Sequence, residues 1–181
     1  MIILGLVGEI GSGKTTLTNY LKERYHARTF RFSDIMRDVL IRLHLEPSRT
    51  NLQDLSTVLR QQFGDDIFSK VMAADVVATT EEFVVVEGIR RPSDTRYLQM
   101  LSNFTIVAVE AAERTRFERI TGRTEKPDDQ QKTWEQFQKD GAQESESEIT
   151  AIKTQAKYVV DNNGTIKDTF AQIEQIIAKL K

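Results

Sequence analysis

Ile2-Ile3-Leu4-Gly5-Leu6-Val7-Gly8-Glu9-Ile10-Gly11-Ser12-Gly13-Lys14-Thr15-Thr16 opens the chain, and the rest of the architecture can be worked out from it. The apolar run Ile2 to Val7 enters a glycine-punctuated loop, and the set Leu17, Tyr20, Leu21 and Tyr25 follows at helical spacing. Unbroken apolarity is what a strand covered on both faces requires, whereas the later set puts one apolar face on a helix. Gly8, Gly11 and Gly13 let successive backbone N–H groups turn inward toward one point, and the helix N-terminus adds its positive end there. The spacing Gly-x-x-x-x-Gly-Lys-Thr therefore predicts an anion cradle. Its backbone comes from Gly8, Ile10, Gly11, Ser12, Gly13 and Thr16. Lys14 supplies a cation for β and γ phosphates, and the Thr15 hydroxyl can ligate magnesium.

Outward from this stretch, three further apolar runs stand out, Phe83 to Val86, Thr105 to Val109 and Tyr158 to Val160, with Ala27 to Phe32 as a weaker one. Ile166, Phe170, Ile173, Ile177 and Leu180 mark one face of a C-terminal helix. Strands alternating with helices predict a doubly wound α/β domain, with a five-stranded parallel sheet between helical layers and right-handed crossovers. Residues 34–80 hold several helices' worth of sequence, including the facing set Leu52, Leu55, Leu59 and Phe63, and are expected to form an inserted helical subdomain. The polar stretch 123–133 is too hydrophilic for a core and is expected to be a short lid, in which Asp128 and Asp129 are either solvated or order the closed state. One domain is expected over 1–181, with its core in 1–33 and 81–181. Gln143 to Glu148 reads as a solvated helix face.

Composition bounds the partners. With 181 residues, the chain can bury roughly 70% of its unfolded surface in one core. Hydrophobic residues at 39%, charged residues at 29% and only 3 Pro describe an ordinary globular protein. A net charge of −2 gives no overall basic field for nucleic acid or an anionic membrane, so a local basic cluster must carry any anion binding. The absence of Cys excludes disulfides, thiolate zinc sites and a cysteine nucleophile. No apolar run reaches the 18 or so residues of a membrane helix, and the first run leads into a glycine loop rather than a cleavage site, so the cytoplasm is the expected location. His26 and His44 lack ligand spacing. Trp134 and Phe137 are expected to pack the helix that follows the lid.

A phosphate cradle is shared by GTPases, ATPase motors and small-molecule kinases, so other residues must decide the chemistry. The guanine-reading Asn-Lys-x-Asp of GTPases is missing, and Asp161-Asn162-Asn163-Gly164 comes after the last strand, too late for a switch loop. Phe32-Ser33-Asp34-Ile35-Met36-Arg37, Glu87-Gly88-Ile89-Arg90-Arg91 and Arg119-Ile120-Thr121-Gly122-Arg123 instead fall in the order of three motifs of the nucleoside monophosphate kinases, a family of P-loop NTPase fold, which this sequence resembles. By that resemblance Arg37 grips the acceptor phosphate and Asp34 holds water on magnesium. Glu87 takes the place of the family's aspartate near the metal. Of Arg119 and Arg123, one lies over adenine and the other on the transferred phosphates, with Arg119 a donor-site as well as a catalytic candidate. Arg116, Arg119 and Arg123 share a helix face by spacing alone, and such a face wants an anion, although Arg116 is equally well a solvated surface residue. Arg90 and Arg91 follow a strand end, where open α/β sheets bind ligands. One of them is expected at the acceptor phosphate; Arg90 is favoured and Arg91 stays open.

Over nearly its whole length the chain looks similar to a mainly archaeal group of small nucleotide-kinase-like proteins related to dephospho-coenzyme A kinase. Lys132-Thr133-Trp134-Glu135-Gln136-Phe137 and the loop ending Asn162-Asn163-Gly164-Thr165 carry that likeness. In dephospho-coenzyme A kinases the latter loop lies against adenine, which makes Asn163 and Gly164 donor-site candidates. Departures matter too: Glu87 replaces Asp, the lid has Lys126 and Lys132 in place of a second arginine pair, and Pro92-Ser93-Asp94-Thr95 lacks the glutamine that reads AMP. The resemblance implies ATP and Mg2+ as cofactors and a small phosphate-bearing acceptor, in a monomer or homodimer. A nucleoside or deoxynucleoside monophosphate is the first expectation for the acceptor, dephospho-coenzyme A the second. A nucleotide-binding regulatory ATPase module is the third reading.

Overall fold

The computed structural model describes residues 1–122, 130–143 and 146–181. Five strands form one all-parallel sheet: β1 (Ile2–Val7), β2 (Arg28–Arg31), β3 (Phe83–Glu87), β4 (Phe104–Glu110) and β5 (Tyr158–Asp161), in the order β2-β3-β1-β4-β5. The helices are α1 (Lys14–Tyr25), α2 (Phe32–Arg42), α3 (Arg49–Phe63), α4 (Ile67–Ala78), the short α5 (Pro92–Thr95), α6 (Glu113–Thr121), α7 (Trp134–Gln143), α8 (Glu146–Lys153) and α9 (Ile166–Leu180). All five apolar runs of the sequence are strands, and the expected insertion is the α2–α4 helical hairpin system between β2 and β3.

Because strand side chains alternate between faces, each central strand feeds two cores. Ile3, Val7, Val84, Val86 and Ile106 join Phe32, Phe68, Met72 and Ile152 on the face covered by the insertion and α8. Leu4, Leu6, Val85, Val107 and Val109 join Leu17, Leu21, Ile173 and Ile177 on the face covered by α1 and α9. On the second face Tyr20 stacks on Phe170 with ring centroids 4.0 Å apart, and both Tyr20 and Tyr25 donate hydroxyl hydrogen bonds to the Glu174 carboxylate. Burial alone would raise that carboxyl, yet the two tyrosine hydroxyls, together with the charges of Arg24 and Lys181, outweigh it and hold it below the usual range. Burial, followed by the bond to Glu174, pushes the Tyr25 hydroxyl up to about 12. These contacts fix the tilt of α1, and with it the loop that precedes α1.

The insertion packs less completely than its periodicity predicts. Leu52, Leu55 and Leu59 are half-buried, while Phe63 is 61% exposed, and the buried residue of α3 is Arg60. The Arg60 guanidinium lies 4.8 Å from the Phe68 ring centroid and pairs with Asp94, so a charge takes the inward position that an apolar residue was expected to fill. No helix among the described residues is long and apolar enough to cross a membrane.

Two outcomes follow from this packing. Phe68 is 1% exposed, so Phe68→Ala should cost about 3–5 kcal/mol in urea unfolding, whereas Phe63→Ala should stay within about 0.5 kcal/mol; equal costs would show that α3 anchors the insertion as much as α4 does. Tyr25, with its folded-state value raised, contributes stability that is complete below pH 10 and is lost as the pH rises from 10 to about 12. Tyr25→Phe should therefore flatten the alkaline fall in melting temperature over that range, and an unchanged alkaline slope would dissociate Tyr25 from the α1–α9 contact.

Candidate functional site

The C-terminal ends of β1, β3 and β4 meet at the centre of the sheet, the edge at which open parallel sheets bind ligands. β1 runs directly into the glycine loop. Gly11 and Gly13 take positive φ of 79° and 103°, conformations that side-chain-bearing residues rarely adopt. Space forbids a side chain as well: a Cβ on Gly11 would stand 2.7 Å from the Arg116 carbonyl, and one on Gly13 would collide with the Asn162 amide. α1 then starts at Lys14 with no side-chain cap and no acidic residue in its first turn, in contrast to α9, whose Thr165 and Asp168 form a capping box. The first-turn N–H groups of α1 are thus left for an anion.

Lys14 Nζ folds back over the loop and donates to the Gly8 carbonyl at 2.6 Å and the Glu9 carbonyl at 2.9 Å. Burial, and next the neighbouring Arg90 guanidinium, push its ammonium down to about 8. The charge of Arg90 is therefore felt at Lys14. Arg91 turns the other way, its Nε 3.9 Å from Glu148 on α8. Both backbone N–H groups of this pair donate to Asp94 Oδ2 at 3.0 Å, and Asp94 Oδ1 accepts from Arg60 Nη2 at 2.7 Å in a pair whose side chains are 3% and 9% exposed. The Arg90–Arg91 turn is thereby tied to the insertion.

Glu87 ends β3 opposite Arg31, the register partner at the end of β2. Its Oε2 accepts from Arg31 Nε at 2.6 Å and its Oε1 from the Thr18 hydroxyl at 2.5 Å, and its field reaches Lys14. Asp34 and Arg37 form a loose pair at 3.9 Å on the half-exposed side of α2, and Asp34 adds, after Glu87, to the negative charge that favours the charged form of Arg31. A line of alternating charge, Lys14, Glu87, Arg31, Asp34 and Arg37, leads from the glycine loop to the insertion. The Thr15 and Thr16 side chains are exposed at the mouth of the loop. Among the described residues no three His, Asp or Glu side chains cluster as a metal cage. A hard cation that takes most of its ligands from phosphate and water fits this arrangement: the Thr15 hydroxyl offers a direct ligand, and Glu87 and Asp34 lie further back.

From the other side, α6 presents Arg116 and Arg119 and ends at Thr121. Arg116 Nε donates to the Ala111 carbonyl and its Nη1 to the Ile10 carbonyl at 3.4 Å. Arg119 Nη2 donates to the Asn162 carbonyl at 2.8 Å, while its buried Nη1 has no hydrogen-bond partner among the described residues and stands 4.0 Å from where a Gly13 Cβ would be. Arg123, Asp128 and Asp129, with most of the expected lid, lie outside the described residues. The two stems of that segment are joined: Phe117 of α6 packs edge-on against Trp134 at 5.1 Å and against Phe137 at 5.5 Å.

In the loop after β5 it is Asn162 that touches the cradle. Buried to 6% exposure, it donates from Nδ2 to the Ser12 carbonyl at 2.8 Å and accepts the Thr169 hydroxyl at Oδ1. Asn163 accepts from the Ala112 N–H at the start of α6, and Gly164 adjoins Asp168 of the α9 cap. Two further neighbours carry no motif: Arg31, which the weak β2 run offered only as a strand residue, and Lys153 of α8, which bridges Glu9 and Glu110. The Asn-rich loop flagged Asn162's vicinity; nothing in sequence spacing could have flagged Lys153.

Known proteins resemble this chain in sequence and in fold. The chain is 28% identical to a UPF0200 protein of Hyperthermus butylicus, over 99% of this chain and 95% of that one. It is 27% identical to a UPF0200 protein of Methanococcus maripaludis, over 99% and 98%. The fold is similar to that of shikimate kinase from Bacteroides thetaiotaomicron, with a TM-score of 0.64 at 16% identity, and of TT1252 from Thermus thermophilus, with 0.61 at 15%; each covers 99% of this chain and 98% of the other. Residues 7–138 match the family model described as an AAA domain, so this chain, with its glycine loop and five-stranded parallel sheet, belongs to the AAA domain family.

Proposed function

We propose that the chain is an ATP-dependent phosphotransferase acting on a small phosphate-bearing acceptor, first of all a nucleoside or deoxynucleoside monophosphate. The observation that carries this is the convergence of cations from separate elements on one glycine loop: Lys14 of the loop itself, Arg90 after β3, and Arg116 and Arg119 of α6. Phosphoryl transfer asks a protein for positioning and charge neutralisation rather than a covalent intermediate, and an acceptor phosphate is already a nucleophilic anion.

In this reading the backbone of Gly8 to Thr16 and Lys14 hold the donor triphosphate. Arg119, whose buried Nη1 is unsatisfied among the described residues, lies against the adenine side with Asn163 and Gly164 nearby. Arg37 and Arg90 hold the acceptor phosphate, and Arg123 joins Arg119 on the moving group. Magnesium, when bound, supplies charge neutralisation between the β and γ phosphates. Thr15 would hold it directly, and Asp34 and Glu87 through water. Arg91 is the weaker acceptor candidate because its guanidinium faces Glu148. A net charge of −2 favours a small-molecule partner over nucleic acid or membrane and fits a cytoplasmic enzyme. A dephospho-coenzyme A kinase is the second reading, favoured by the contact between the Asn162 loop and the glycine loop.

Purified protein with Mg-ATP, offered ribo- and deoxynucleoside monophosphates and dephospho-coenzyme A in turn, should form ADP only with an acceptor, and Lys14→Ala should lose at least about a hundredfold of that rate. ATP turnover indifferent to every acceptor would instead favour a regulatory ATPase module. With the preferred acceptor, Arg90→Ala should lower kcat/KM roughly a hundredfold and Arg91→Ala by no more than about threefold. Equal losses at the two positions would remove the distinction drawn from Lys14 and Glu148.

A further inference from the structure

Glu9 is out of character with the loop that contains it. Every other feature there, from the inward N–H groups to the uncapped end of α1 and Lys14, favours an anion. A carboxylate at the second position repels one, and little solvent screens it, because its side chain is only 12% exposed. The carboxylate is not left alone. Lys153 Nζ, from α8, stands 3.1 Å from Glu9 Oε1 and 2.6 Å from Oε1 of Glu110, the last residue of β4. Arg116 of α6 is the other cation whose field reaches Glu9, and Lys14 is the cation of the loop that senses Glu9 in return. Since Arg116 is already engaged with the Ala111 and Ile10 carbonyls, Lys153 is the group that holds the Glu9 carboxylate directly.

We propose that Lys153 is a positioning residue for phosphate binding: by pairing with Glu9 it cancels a repulsive charge at the rim of the glycine loop and keeps that carboxylate turned toward α8. Affinity for a phosphorylated ligand is then set partly by a helix that lies outside the loop motif and follows the lid segment in sequence. The inference rests on the loop taking nucleotide phosphates, and it adds a sign that a merely structural contact lacks. Removing the lysine is most harmful while Glu9 is charged, although it also takes the cation from Glu110.

The probe is ADP with magnesium, titrated calorimetrically into wild type, Glu9→Gln, Lys153→Met, the double variant and Lys153→Arg, with thermal melting of each as a check on folding. Lys153→Met should weaken binding about tenfold, the size expected for one unscreened charge within several ångströms of a phosphate. Glu9→Gln should bind about threefold tighter than wild type, the double variant should fall within about threefold of Glu9→Gln, and Lys153→Arg should keep wild-type affinity. A Lys153→Met loss that is as large in the Glu9→Gln background, or no loss at all, overturns the proposal. Should Lys153→Met fail to fold, Glu9→Gln decides by itself, because unchanged or weaker ADP binding there is equally fatal. A wild-type chain that binds no ADP removes the phosphate reading itself, an outcome distinct from any of these.

Discussion

The hydrogen bond from the Asn162 side chain to the Ser12 carbonyl is the constraint on which the site depends. A loop that points its N–H groups inward must point its carbonyls outward, and an outward carbonyl that is buried needs a donor behind it. Asn162 provides that donor from 150 residues away, itself fixed by Thr169 of α9 and by its backbone N–H on the Glu110 carbonyl. The approach is so close that Gly13 can carry no side chain. On the opposite rim Arg116 repeats the device, donating to the Ile10 carbonyl while its own backbone presses against Gly11. The shape of the loop is thus imposed from outside by β5, α6 and α9 as much as by its glycines.

Once the loop is fixed, its electrostatics follow. Lys14 is desolvated, feels the charge of Arg90, and is left with loop carbonyls for partners, so its ammonium sits well below its ordinary value. The fields of Lys14 and Arg90 add at the loop, so under the proposed function a phosphate would be drawn to that charge. Glu87 moderates the same field from the end of β3, but both of its oxygens are committed, one to Thr18 and one to Arg31. A longer side chain than the aspartate of the resembled family is what lets one carboxylate span from α1 to the end of β2.

How much of this was legible depends on the range of the interactions. The five apolar runs and the glycine loop are local patterns, and each became the element its period predicts. The grouping of Arg116 and Arg119 on one face of α6 was also legible, because helical spacing is fixed by backbone geometry alone. Spacing does not say which partner that face meets; for Arg116 it is the Ile10 carbonyl. Asn162, Lys153 and Arg31 join residues far apart in the chain, and no pattern within a window records such a pairing. The α3 periodicity misled in the other direction. Leu52, Leu55, Leu59 and Phe63 share a face, but tertiary packing gave the deepest place on that helix to Arg60.

Arg60 also explains why an arginine occupies a place an apolar residue could fill. A buried ion pair gains little over a hydrophobic contact in stability, since desolvation offsets its attraction. What it can do is direct. Asp94 spends one oxygen on Arg60 and the other on the N–H groups of Arg90 and Arg91, so the carboxylate holds the turn after β3 while the guanidinium, stacked on Phe68, holds the insertion. A leucine at either position would pack, but it could not fix the direction in which that turn presents Arg90. The insertion and the Arg90 turn therefore act as one piece, and any motion that brings α2 with Arg37 toward the glycine loop must carry the Arg90 backbone with it. The two arginines assigned to the acceptor phosphate are linked in this way through a pair that itself touches no ligand.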